Sequence, residues 1–296
     1  MNNFSQLNGS IVALVTPFDQ EGNPDFERLG QLIDWHLENG TDGIVTLGTT
    51  GESATMTQEE DDEVCRFTVE RVGGRIPVIA GSGSNCTQAM LERSLKFQEL
   101  GADGLLLISP YYIKANEEGM YRHFADIADQ VDIPCLLYNV PGRTGCNIPV
   151  SVVERLSRHP RICGIKEASG DMSYAVKIAR LLSDDFVMYC GNDDITVPLL
   201  SIGARGVISV LANILPSETH QMVMAYLEGD ADTASRMQLA YLELINNLFT
   251  EVNPIPVKTA LDLMGRCSAQ MRMPLYAMSE GARQNLAGSM RRVGLL

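Results

Sequence analysis

Lys166 ends an apolar run, Ile162-Cys163-Gly164-Ile165, where a cation is costly unless it is paired or gives up its proton. A desolvated lysine amine is a nucleophile toward ketones and forms a Schiff base with them. Strand alternation puts Lys166 and Gly164 on one face and Ile165 on the other, and the missing side chain at Gly164 leaves space beneath the lysine stem. Tyr138 ends a second run, Pro134-Cys135-Leu136-Leu137, and imine chemistry needs protons carried to the leaving water and away from the carbon beside the imine. A positioned tyrosine does both when its own proton is relayed. Gly48-Thr49-Thr50-Gly51-Glu52-Ser53 offers two hydroxyls and glycine-flanked backbone N–H groups, a donor set for a carboxylate. Arg143 lies in a loop crowded with Pro141, Gly142 and Gly145 and suits a second carboxylate. Tyr111 and Tyr112 follow Pro110, which restrains them. Each feature also has a plainer reading: a snorkelling lysine, a rim tyrosine, threonines satisfying their own turn, a solvated arginine. Only their joint placement decides between the two.

The elements that must position these residues alternate along the chain. Gly9–Phe18, Gly43–Leu47, Pro77–Ala80, Gly104–Ser109, Pro134–Tyr138, Ile162–Lys166, Phe186–Cys190 and Gly206–Val210 read as strands. Helical spacing fills Asp25–Asn39, Thr57–Val72, Thr87–Leu100, Glu117–Gln130, Val150–Ser157, Met172–Leu182 and Ile195–Ile202. Thr57 and Glu60 form a capping-box pattern. The junctions Gly40-Thr41-Asp42-Gly43, Gly101-Ala102-Asp103-Gly104 and Gly203-Ala204-Arg205-Gly206 repeat one plan, a helix-ending glycine and a glycine opening a strand. Eight such units predict a (β/α)8 TIM barrel, whose functional residues gather at the C-terminal ends of the strands. That rule collects Thr49, Thr50, Tyr111, Tyr112, Tyr138, Arg143, Lys166, Gly191 and Ile208 at one mouth. An open doubly wound sheet is the rival fold, disfavoured because no glycine-rich nucleotide fingerprint follows the first strand. Gly81-Ser82-Gly83-Ser84-Asn85 likewise reads as a plain turn, since no Walker lysine accompanies it. Beyond Gly229 the strands stop: helices over Thr233–Thr250, Val257–Met264 and Glu280–Arg292 predict a helical appendage at 230–296 on a barrel at 1–229, with Asn253-Pro254-Ile255-Pro256 as a rigid break.

Composition narrows the function classes. The 296 residues carry a net charge of -14, which argues against nucleic acid or an anionic membrane surface as partner. No apolar run is long enough to span a bilayer, and Met1-Asn2-Asn3-Phe4-Ser5-Gln6 lacks the charge and apolar core of a signal peptide. Seven scattered cysteines without a CxxC pair read as reduced thiols of a cytoplasmic protein, and four histidines set far apart give no metal motif.

Gly164-Ile165-Lys166-Glu167-Ala168-Ser169-Gly170-Asp171, Tyr138-Asn139-Val140-Pro141-Gly142-Arg143-Thr144-Gly145 and Gly48-Thr49-Thr50-Gly51-Glu52 together resemble the dihydrodipicolinate synthase and N-acetylneuraminate lyase superfamily, over nearly the whole chain. Thr50 and the Arg143 loop look like the synthases; the sialic acid lyases typically lack the arginine. The resemblance implies a Schiff base between Lys166 and pyruvate, with Thr49 and Thr50 on the pyruvate carboxylate and Gly191 and Ile208 lining the pocket. It implies a proton relay of Tyr138, Thr50 and Tyr112, the last from a neighbouring subunit, and Arg143 on the carboxylate of L-aspartate 4-semialdehyde. No metal or organic cofactor is implied, and a homotetramer is the family's common arrangement. Ser53, Ala54, Gly83, Asn85 and Tyr111 match the family's lysine feedback site. Gln58, Asp61 and Ala89 depart from it, standing where inhibited members carry two histidines and a glutamate, so weak or absent lysine inhibition is expected. The rivals are another pyruvate-forming Schiff-base aldolase, for sialic acid or 2-keto-3-deoxy sugar acids, and a barrel without catalysis that binds a ligand or works by assembly.

Overall fold

The structure, a computed structural model, describes residues 7–296. The segment Met1–Gln6, read above as unlike a signal peptide, lies outside them. Eight parallel strands close into one barrel in sequence order: β1 (Gly9–Ala13), β2 (Gly43–Thr46), β3 (Val78–Gly81), β4 (Gly104–Ile108), β5 (Cys135–Asn139), β6 (Ile162–Glu167), β7 (Val187–Cys190) and β8 (Gly206–Ser209). The intervening helices are α1 (Phe26–Glu38), α2 (Gln58–Val72), α3 (Thr87–Glu99), α4 (Glu117–Ala128), the single turn α5 (Pro141–Thr144), α6 (Val150–Leu156), α7 (Met172–Ala179), α8 (Thr196–Leu200) and α9 (Pro216–Leu227). Helices α10 (Ala231–Asn247), α11 (Ile255–Leu263) and α12 (Glu280–Arg292) complete the chain. This is the expected (β/α)8 barrel with C-terminal helices.

Local chemistry sets these elements. Asp25 and Thr57 cap α1 and α2 through their side chains, and Thr57 with Glu60 makes the reciprocal capping box. Gly40, Gly101 and Gly203 each take a left-handed φ, of 76°, 90° and 104°, at the repeating helix-to-strand junction, a conformation only glycine adopts without cost. Strand β8 stops one residue earlier than the spacing predicts, because the Val210 N–H leaves the ladder for the Asp193 carboxylate at 2.9 Å. The turn α5 replaces a stretch expected as loop; Pro141 at its start supplies a helical φ.

Two apolar layers result. Ile11, Val45, Ile79, Leu106, Leu136, Val187, Tyr189 and Ile208 fill the barrel interior, while residues of the opposite strand faces pack against the helices. No described helix is long and apolar enough to cross a membrane. All seven cysteines are free thiols, four of them buried.

The barrel closes where β8 meets β1, with Gly206 beside Gly9 in register. A Cβ on Gly206 would lie 2.0 Å from the Gly9 carbonyl oxygen, an impossible contact with backbone that cannot rotate away. Gly206→Ala is therefore expected to lower stability by at least about 1–3 kcal/mol, the usual range for overpacking. A fall in the denaturation midpoint checks this; an unchanged midpoint refutes it.

Candidate active site

Lys166 and Tyr138 are direct register partners on β6 and β5 and face the barrel interior together. Lys166 is 6% exposed, and its Nζ sits 4.5 Å from the centre of the Tyr138 ring. The snorkelling alternative fails on that burial. The glycine that makes room for the amine is not the one expected. A Cβ at Gly164 would strike the Val187 carbonyl at 2.4 Å and Leu136 Cδ2 at 3.1 Å, so Gly164 serves strand packing. A Cβ at Gly191, just beyond β7, would stand 3.0 Å from Lys166 Cε. Gly191 is the residue that leaves space for the lysine stem. Ile208 on β8 is fully buried in the same interior cluster as Tyr138. Asp193, two residues past Gly191, carries a buried carboxylate. Burial pushes its pKa up, against donation from Ser209 and the Leu211 and Val210 N–H groups and the nearby Lys166 charge.

The Thr49–Thr50 turn is held under strain. Leu47 and Glu52 flank it with left-handed φ angles of 56° and 57°, uncommon for residues with side chains. Three tethers hold this shape. Thr16 Oγ1 donates to the Gly51 carbonyl at 2.7 Å. The Glu52 carboxylate accepts from Lys258 Nζ at 2.6 Å, both side chains being fully buried. Gly81 leaves room for the Leu47 carbonyl, which a Cβ there would meet at 2.4 Å. Thr50 is 3% exposed, and its Oγ1 accepts from Asn253 Nδ2 at 2.9 Å.

The Arg143 loop is anchored from beneath. Glu167, next to Lys166 but facing the helices, accepts from Asn139 Nδ2 at 2.8 Å and from the Ser169 N–H at 2.7 Å; burial nonetheless pushes its carboxyl pKa up. Asn139 in turn takes the Ile148 N–H at 2.9 Å and donates to Asn147. Thr144 Oγ1 donates within the loop to the Cys146 carbonyl at 2.9 Å. Arg143 itself is exposed, but its Nη2 donates to the Asn253 carbonyl at 3.1 Å. One residue thus touches both Thr50 and Arg143.

A cavity of about 360 Å³ opens at this mouth. Thr49 and Tyr138 line it together with Ser53, Ala54, Gly83 and Tyr111, so candidate catalytic and candidate effector residues share one space. Asn85 holds the Tyr111 carbonyl at 3.2 Å. Arg93 also reaches the cavity, and it pairs with the buried Asp61 at 3.4 Å. Burial raises the Asp61 carboxyl to about 6, against the pull of Arg93 and Ser53. Gln58 lies at the same spot, accepting from Arg93 Nε, while Ala89 is exposed on α3. Tyr112 stands apart: it is 93% exposed with φ of 68°, at the centre of a tight turn closed by the Ile113 N–H on the Tyr111 carbonyl.

Two residues at the site escape a reading of the sequence, Asn253 in the turn before α11 and Lys258 on α11 itself. Their signals are faint: a polar residue at the Asn253-Pro254 break, and one lysine within the apolar run Val257–Leu261. Among the described residues no group of three or more His, Cys, Asp or Glu side chains converges as a set of metal ligands.

Comparison with known proteins agrees with this architecture. The model of the dihydrodipicolinate synthetase family matches residues 6–292. A 4-hydroxy-tetrahydrodipicolinate synthase of Thermoanaerobacter sp. (strain X514) is 50% identical over 289 residues, 97% of either chain. Among solved structures, the dihydrodipicolinate synthase of Aquifex aeolicus superposes with a TM-score of 0.95 at 42% identity, over 97% of this chain and 98% of that one. The chloride-inhibited enzyme of Acinetobacter baumannii, complexed with pyruvate, gives 0.96 at 39% identity, over 98% and 100%. A buried lysine paired with a tyrosine across β5 and β6, carried on a barrel that matches these enzymes from end to end, leaves one conclusion: this chain belongs to the dihydrodipicolinate synthetase family.

Proposed function

We infer that the chain condenses pyruvate with L-aspartate 4-semialdehyde, the 4-hydroxy-tetrahydrodipicolinate synthase reaction of lysine and diaminopimelate biosynthesis. The observation that carries this reading is the Lys166 amine, buried at the end of β6 and 4.5 Å from the Tyr138 ring. The names of relatives at about half identity support it. In this reading Lys166 attacks the ketone of pyruvate and water leaves, giving an imine. Loss of a methyl proton gives the enamine, whose carbon bonds to the aldehyde carbon of the second substrate. The amine of that substrate then adds to the imine carbon, the Lys166 nitrogen leaves, and the ring closes.

The roles of the side chains follow the same logic. Thr49 and Thr50 hold the pyruvate carboxylate, with Gly191 and Ile208 shaping the pocket. Tyr138 and Thr50 relay protons with Tyr112. The strained, outward-facing backbone of Tyr112 supports its use by a second protomer, since such strain persists where function repays it. That arrangement needs at least a dimer, and a homotetramer is the assembly we propose. Arg143 binds the carboxylate of the semialdehyde. Residues 1–229 carry the chemistry, and 230–296 form a helical extension that lends Asn253 and Lys258 to it.

The remaining cavity lining, Ser53, Ala54, Gly83 and Tyr111 with Asn85 behind, is an effector pocket in this reading. The Arg93 guanidinium already occupies Asp61 there, which leaves a cationic effector facing a cation rather than a free carboxylate. Weak or absent inhibition by L-lysine follows.

Three outcomes are expected. Incubation with pyruvate and borohydride, then mass mapping, places a reduced pyruvyl adduct on the Lys166 peptide; an unmodified Lys166 rules out the imine. Arg143→Ala lowers kcat/KM for the semialdehyde about 10- to 100-fold, the worth of one charge-assisted contact, while pyruvate adduct formation persists. L-Lysine leaves initial rates unchanged at micromolar concentration, and a micromolar inhibition constant contradicts this.

A further inference from the structure

We propose that Asn253 is a positioning residue that sets the direction in which the Thr50 hydroxyl gives its proton. The inference rests on the relay reading of Thr50 and Tyr138 given above.

A hydroxyl has one proton to give and two lone pairs to receive. Asn253 Nδ2 donates to Thr50 Oγ1 at 2.9 Å, with Thr50 3% and Asn253 5% exposed. One lone pair of Thr50 is thereby taken by an amide proton, and an N–H cannot accept in return. The Thr50 proton is left for another acceptor, which in the relay is the Tyr138 oxygen as Tyr138 passes its own proton on. No proton leaves Asn253. The residue is also fixed in place from its other side, because the Asn253 main-chain carbonyl receives Arg143 Nη2 at 3.1 Å. Its side-chain oxygen is buried with no partner among the described residues, so the contact to Thr50 is the one polar bond of that amide there. A buried acceptor is left unpaired here while the donor is used, and the use falls on a residue at the mouth of the barrel.

In a site this enclosed Asn253→Asp also buries a charge, which lowers stability whatever the asparagine does, so the pH profile and the Thr50→Val background, not the rank of the two variants alone, separate a directing donor from a structural one. The carboxylate introduced by Asn253→Asp accepts only, so it draws the Thr50 proton toward itself and away from Tyr138. In Asn253→Ala the hydroxyl is merely released. We expect kcat to fall about 100-fold in Asn253→Asp, the low end of the range for a positioned proton transfer, and about 10-fold in Asn253→Ala. The KM for the semialdehyde stays near the wild-type value in both, because the main-chain carbonyl that meets Arg143 is retained. Lowering the pH protonates the introduced carboxyl, which can then donate again, so kcat of Asn253→Asp recovers toward acid pH while wild type shows no such rise. In a Thr50→Val background neither Asn253 substitution has a further effect on kcat.

Borohydride trapping of pyruvate separates the two levels of the inference. Wild type lacking an adduct at Lys166 overturns the Schiff-base reading itself. With wild type trapped, a full adduct after long incubation in both variants shows that each retains a folded site. Asn253→Asp as active as wild type, or more active than Asn253→Ala across the pH range, then overturns the directing role. So does an additive loss in the Thr50→Val background. Should Asn253→Asp fail to trap, the comparison of Asn253→Ala with Asn253→Ala/Thr50→Val decides by the same additivity.

Discussion

The ion pair between Glu52 and Lys258 is the contact on which the mouth of this barrel depends. Both side chains are fully buried, 2.6 Å apart, and the lysine also donates a hydrogen bond to the Thr16 carbonyl at 3.0 Å. Burial pushes the Lys258 pKa down and the Glu52 charge pulls it back. Such a pair gains little net stability over an apolar replacement, yet losing one partner strands a charge in the core at a cost of about 3–5 kcal/mol. Its contribution is geometric. Glu52 sits in a left-handed backbone conformation at the end of the Thr49–Thr50 turn, and Lys258 comes from helix α11 on the far side of the chain. The Arg272 N–H meets the second oxygen of Glu52 at 3.3 Å, and Arg272 pairs through both nitrogens with Glu60 on α2. Phe18 lies against both cations, 4.3 Å from Lys258 Nζ and 4.7 Å from the Arg272 guanidinium.

That network explains why strain collects at one end of the barrel. Leu47, Glu52 and Tyr112, the described non-glycine residues with positive φ, all follow strands at their C-terminal ends. A left-handed turn with a side chain survives only where its surroundings leave no other choice. At Leu47 and Glu52 the surroundings are Gly81, Gly51 and the buried ion pair. At Tyr112 the described residues supply no such enclosure, which is why a second protomer enters the functional reading.

The C-terminal helices are therefore more than packing. Asn253 and Lys258 reach across 203 and 206 residues of sequence to Thr50 and Glu52. Spacing and periodicity describe neighbours within a strand or a helix turn; they hold no information about such distant pairs. The same limit explains the misplaced glycine. Alternation along β6 correctly puts Gly164 on the face of Lys166, but the room beside the amine comes from Gly191, just past the end of β7.

By itself the sequence determined what depends on near neighbours in the chain. The eight alternating units, the capping box at Thr57 and Glu60, the glycines that end helices and open strands, and a lysine closing an apolar strand all follow from local dihedral preference and from the cost of burying charge. Knowing that strands of such a barrel end at one mouth, it also brought Lys166 next to Tyr138. Tertiary structure alone decided what lies between elements: which atom fills the space beside the amine, which carboxylate meets Lys258, and which donor faces Thr50. Those contacts depend on barrel closure and on the return of the chain through α11, and no local rule encodes them.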